Sequence, residues 1–93
     1  MKRTWLAGII AVAAGAAFAQ SGGDVVKSKG CLNCHAVDTK KMGPSFKDIA
    51  VKHKSDKGAA DAIAAKLKEG KGHPKVAASD AEIKSAVGYV LSQ

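Results

Sequence analysis

Cys31-Leu32-Asn33-Cys34-His35 is the place in this chain where reactive side chains stand closest together. Two thiols three residues apart, followed at once by an imidazole, form the C-x-x-C-H pattern of covalent haem attachment. The spacing has a physical reason. Each thiol can form a thioether to a vinyl group on adjacent pyrrole rings, and the histidine beside the second thiol then lies beneath the iron as its proximal ligand. Other uses of paired cysteines fit less well. A thioredoxin-like pair wants a β-α-β setting, of which the residue pattern shows no sign. A zinc finger wants a second ligand pair at short spacing, whereas His53 and His73 lie twenty residues apart. A disulfide between Cys31 and Cys34 would close almost no loop and constrain the unfolded chain little. Besides the motif there is no acid–base pair, no nucleophile with a base and no second metal site, so the chain does not read as an enzyme.

The start of the chain reads as an address. Lys2 and Arg3 precede an apolar run from Trp5 to Ala17, and Ala17-Phe18-Ala19 is an A-x-A cleavage site. Residues 1–19 are therefore expected to be a cleaved secretory signal, leaving residues 20–93 as one domain in the periplasm. The apolar run is shorter than the ~20 residues of a membrane span, and nothing after it could cross a bilayer. The chain has 15 Lys and Arg against 8 Asp and Glu, a formal charge of +7. Beyond Arg3 every basic residue is a lysine, and the lysines are scattered. Such a surface is mostly solvated, but its excess charge can steer acidic redox partner proteins. Nucleic acid is excluded as a partner, because residues 20–93 have no arginine and no aromatic residues interleaved with the lysines. The protein is expected to be a monomer.

No strand-like alternation occurs, and the pattern predicts an all-α domain of about four short helices. Asp24 is expected to cap the first, which runs through Val25, Val26 and Lys29 to end near Gly30. The second runs from Ser45, with Phe46, Ile49, Ala50 and His53 on one face. The third spans about Lys57 to Glu69, with Ala60, Ile63, Ala64 and Leu67 on its apolar side and Gly70 as its stop. The last begins at Ser79, whose pairing with Glu82 is a capping box, and carries Ile83, Val87, Val90 and Leu91. These stripes are thin and rich in alanine. Helices this short bury too little apolar surface to stand alone, and a large flat apolar cofactor would make up the shortage.

Over nearly all of residues 20–93 the chain resembles the small bacterial class I cytochromes c, of the c-551/c-552 kind. The resemblance is carried by Lys29-Gly30-Cys31-Leu32-Asn33-Cys34-His35-Ala36-Val37-Asp38-Thr39-Lys40, by Gly43-Pro44-Ser45-Phe46-Lys47-Asp48-Ile49-Ala50 and by the ending Tyr89-Val90-Leu91-Ser92-Gln93. It implies a few helices around one covalent haem c, with iron bound by His35, and a role in carrying single electrons between redox proteins. It also implies that the first and last helices cross near Val26, Gly30 and Tyr89. A further implication is that the Pro44 carbonyl accepts a hydrogen bond from His35 Nδ1–H, which fixes the tautomer and makes the imidazole a stronger donor.

The sequence departs from that family at the sixth iron ligand, which the family takes from a Met before a Pro. The only methionines are Met1 and Met42, and Met42 lies on the proximal side of the pattern. His73-Pro74 falls where the family has its Met-Pro stretch. A residue before proline is held extended, and Gly70 and Gly72 let the backbone run close to a flat face. Ligation by His35 and His73 is the favoured expectation, and imidazole in place of thioether implies a lower reduction potential. His53, on the buried stripe of the second helix, is the rival, though its plainer reading is a core histidine with a satisfied hydrogen bond. An open sixth site is the remaining choice. With a displaceable or absent sixth ligand the protein would instead be a haem-based sensor or a binder of small gaseous ligands.

Overall fold

Three serines start helices here, and each is followed three residues later by an acid. Ser21, Ser45 and Ser79 are the N-caps of three of the four helices, with hydroxyls accepting the N–H of Asp24, Asp48 and Glu82 at 3.2, 3.1 and 3.2 Å. Each such cap stabilises its helix by about 1 kcal/mol. At Ser79 the bond is reciprocated, because Glu82 Oε1 accepts the Ser79 N–H at 3.0 Å and completes the expected capping box. The expected cap at Asp24 is displaced by one turn. Ser21 caps the helix and Asp24 lies in its first turn, where its charge favours the positive end of the helix dipole.

The computed structural model describes residues 21–93; the expected signal peptide, residues 1–19, and the first domain residue, Gln20, lie outside them. Within the described residues the helices are α1 (Gly22–Ser28), α2 (Phe46–Lys52), α3 (Ala59–Glu69) and α4 (Asp80–Leu91), with a short 3-10 turn at Cys31–Asn33 and no strand. The all-α expectation holds. α3 starts two residues later than the sequence predicts, because the Asp56 side chain accepts the Gly58 N–H at 3.0 Å and holds the preceding turn. Ala59 is the buried alanine of α3, and Ala60 is exposed. Gly70 ends α3 in the left-handed conformation, φ 73°, as its sequence position anticipates.

α4 is the hub, packing against α1, α2 and α3. Val25, Val26, Phe46 and Ala86 form one buried cluster, with Cys31, Val37, Ile49, Tyr89 and Val90 packed around it. The α1–α4 crossing is tightest a turn before the position that the resemblance implies. A methyl group on Gly22 would collide with the Ser85 carbonyl and Tyr89 Cβ, while the Tyr89 ring lies against Gly23. Two successive glycines therefore let the backbones meet. At the other end of α1, Lys29 reaches Glu82 of α4 at 3.7 Å. Among the described residues only seven apolar side chains are buried, three of them valines and two of them alanines. For a domain this small that is a marginal core. No helix among the described residues is long and apolar enough to cross a membrane.

Gly22→Ala is expected to destabilise the holoprotein by about 1–3 kcal/mol in denaturant unfolding, since the obstacle is backbone rather than a movable side-chain tip. Glu82 gives a pH-dependent counterpart. Hydrogen bonds from Ser79, and then the nearby Lys29 charge, hold its carboxyl below its ordinary value of 4.5. A carboxyl lowered in the folded state stabilises above its unfolded value, and that contribution is lost as pH falls through the folded value. Glu82→Gln keeps the acceptor oxygen and removes the charge. Wild type is expected to have the higher Tm at neutral pH, with the difference shrinking as pH falls below 4.5 and gone only below the lowered folded value.

Candidate functional site

Gly30, at φ 77°, ends the path of α1 and turns the chain into the 3-10 turn. The N–H groups of Cys34 and His35 both donate to the Cys31 carbonyl, at 3.2 and 3.0 Å. Five residues are thus wound into one tight turn, and Cys31, Cys34 and His35 come to line a single cavity. Burial pushes the Cys31 thiol above its ordinary value. Reactive redox cysteines are shifted the other way, towards thiolate.

The following segment folds back along the turn. Gly43 N–H donates to the Cys34 carbonyl at 2.8 Å, Phe46 N–H to Ala36 at 2.9 Å and Lys47 N–H to Val37 at 3.1 Å. This brings Gly43 flat against the His35 ring, where any Cβ would overlap it. It also aims the Pro44 carbonyl at His35 Nδ1, 2.6 Å away, the hydrogen bond that the resemblance implies. Phe46 stacks on His35 with centroids 5.4 Å apart, and Tyr89 meets Phe46 edge-on at 6.3 Å. The His35 imidazole is held on several sides.

The facing wall is the loop between α3 and α4. Gly70 and Gly72 both take positive φ, 73° and 67°, and Val76 N–H donates to the Leu67 carbonyl at 2.9 Å, drawing the loop back onto α3. His73 lies between those features. Its Nδ1–H donates to the Pro74 carbonyl at 2.7 Å. The His35 and His73 rings are 6.0 Å apart between centroids and within 6° of parallel. Because a carbonyl can only accept, each Nδ1 carries the proton and each Nε2 keeps its lone pair.

The cavity between these walls measures about 640 Å³, in the ~300–1,000 Å³ range of cofactor sites. Val25, Val26, Ile63, Leu67, Ile83, Val87 and Val90 line it, so the stripes of α1, α3 and α4 face this space as much as one another. A flat apolar group suits it. A centroid separation of 6.0 Å leaves room for one metal ion between the rings, at bonds of ~2 Å to a nitrogen of each. Among the described residues no group of three or more His, Cys, Asp or Glu gathers to hold a bare metal ion. The donor set is two facing imidazoles and two thiols, which fits a metal that brings its equatorial ligands with it.

His53, the rival ligand, is the C-cap of α2 and does not line the cavity. Met42 lies at the cavity rim and is 87% exposed. Three contacts escaped the sequence reading: Gly43 against the His35 ring, the Phe46 stack and the Pro74 carbonyl on His73. The last had a legible signal in the His73-Pro74 dipeptide, since proline restricts both its own φ and the residue before it.

No protein-family model matches the chain. It is 40% identical over 80 residues to cytochrome c-551 of Azotobacter vinelandii, spanning 78% of this chain and 98% of that protein. Cytochrome c-552 of Nitrosomonas europaea is 37% identical, with 99% of this chain and 98% of the relative covered. The crystal structure of Nitrosomonas europaea cytochrome c552 superposes with a TM-score of 0.66 at 34% identity, over 75% of this chain and 96% of that one.

Gly43→Ala is expected to turn the His35 ring and break its bond to the Pro44 carbonyl. The check is a ¹⁵N-histidine NMR spectrum of the reduced holoprotein, in which the slowly exchanging His35 Nδ1–H resonance should be lost.

Proposed function

The chain belongs to the bacterial cytochromes c-551/c-552, and from that membership we propose a low-potential periplasmic electron carrier whose haem is held between two histidines. The family carries one covalent haem c, works in electron transfer with partner proteins and is not a family of enzymes. In the proposed site Cys31 and Cys34 bear the two thioethers, and His35 and His73 ligate the iron. The observation that carries this reading is the pair of parallel imidazoles 6.0 Å apart across the cavity.

Haem, when bound, supplies a one-electron couple at iron. The chain does the rest. Pro44 and Gly43 hold the His35 ring, and the apolar lining from α1, α3 and α4 excludes water from the ring faces. Imidazole is a stronger donor than the thioether of Met and leaves the ferric state better stabilised, so the potential falls below that of Met-ligated members of the family. Two strong ligands also leave little to rearrange between oxidation states. Lys29 and Lys75, both lining the cavity, and the excess positive charge of the chain favour acidic redox partners. Residues 1–19 direct export and are removed, and the carrier acts as a monomer.

The test is spectroscopy and redox titration of the purified holoprotein against His73→Ala and His53→Ala. Wild type and His53→Ala are expected to be low-spin in both oxidation states and indifferent to carbon monoxide, at a potential below Met-ligated relatives. His73→Ala is expected to become high-spin and to bind carbon monoxide. Ready binding of carbon monoxide by wild type would instead favour a sensor or gas binder.

A further inference from the structure

The chain has only two prolines, and the carbonyl of each receives an imidazole N–H from a histidine of the cavity. The two bonds are built differently. Pro44 lies nine residues beyond His35, and its carbonyl is aimed by the backbone bonds that fold residues 43–47 along residues 34–37. Pro74 directly follows His73, so the bond closes within one dipeptide. Proline fixes its own φ and holds the preceding residue extended, which leaves few torsions free to carry that carbonyl away from the ring. Around it the loop has little else to orient an imidazole. Gly70 and Gly72 bring freedom rather than restraint, and the Val76–Leu67 bond anchors the loop three residues further on.

We infer that Pro74 is the positioning residue for His73: its carbonyl fixes the His73 tautomer and ring plane, so that the two axial imidazoles lie parallel and are matched in donor strength. The inference rests on the two-histidine reading above. Its geometric support is the 6° angle between the rings and the near-equal Nδ1···O distances of 2.6 and 2.7 Å. An imidazole whose Nδ1–H is bonded to a carbonyl has partial imidazolate character and is the better donor to a metal. With both ligands treated alike, the ferric state is stabilised from both faces. Pro74 touches neither iron nor partner in this account. It acts through His73.

The experiment uses wild-type holoprotein, Pro74→Ala, and Lys71→Ala as a control in the same loop. Wild type is measured by electron paramagnetic resonance of the ferric state and by ¹⁵N-histidine NMR of the ferrous state. The expected result is a rhombic low-spin signal, the mark of parallel imidazole planes, together with two slowly exchanging Nδ1–H resonances. In Pro74→Ala the His73 Nδ1–H should exchange faster, the low-spin signal should become more axial and the potential should rise, with Lys71→Ala unchanged in all three. A bis-histidine low-spin signal of strongly axial form, or a His73 Nδ1–H that exchanges freely in wild type, would overturn the role of Pro74 while leaving the ligation intact. So would a Pro74→Ala protein unaltered in exchange, signal and potential. A high-spin wild type, or a thioether-to-iron absorption band, would overturn the ligation itself and the inference with it.

Discussion

Helices α1, α3 and α4 face a shared cavity as much as they pack against one another, and this constraint orders everything else in the described residues. Among the described residues seven buried apolar side chains are a small core, and Val25, Val26, Ile63, Leu67, Ile83 and Val87 line the cavity that His35 and His73 share. A small domain gains stability by acquiring a staple, which for this family is a covalent haem c. Covalent attachment suits such a frame, because the group that completes the core cannot dissociate from it.

The two histidines that line the cavity are held by different sets of partners. His35 is fixed by a tight turn, by Gly43 against its ring, by the Pro44 carbonyl and by Phe46, which in turn meets Tyr89 of the hub helix α4. His73 sits on a loop that begins with two left-handed glycines and is tied to α3 by one backbone bond to Leu67. Orientation on this second face therefore falls to local chemistry. There a bond closed within His73-Pro74 is a short-range means of holding a ring.

Membership of the cytochromes c-551/c-552 and the two-histidine reading proposed above are compatible because they rest on different parts of the chain. The helices, the attachment turn and the Gly43-Pro44 segment form the frame of a chain that superposes on a solved c552 structure over 75% of its length. His73 belongs to the connection between α3 and α4, where under that reading a change of residue would alter the ligand without disturbing the helix caps or the α1–α4 crossing.

How much could be read from residues alone differs from feature to feature. The C-x-x-C-H motif, the helical class, the cap at Ser79 and the stop at Gly70 are local, set by spacing and by torsional preferences within a few residues, and sequence was enough to find them. Asp24 was mistaken for a cap because Ser21 and Asp24 are both good capping residues, and only the backbone path decides which precedes the first turn. Ala59 rather than Ala60 is buried at the start of α3, while Ile63, Ala64 and Leu67 keep the expected inward side, and only packing against the rest of the chain decides which alanine is covered. What tertiary structure alone decided is distance between parts far apart in the chain. The approach of Gly22 to Ser85, the Phe46–His35 stack and the 6.0 Å separation of His35 from His73 depend on how the helices and the segments between them are gathered, and no local preference encodes a separation across a cavity.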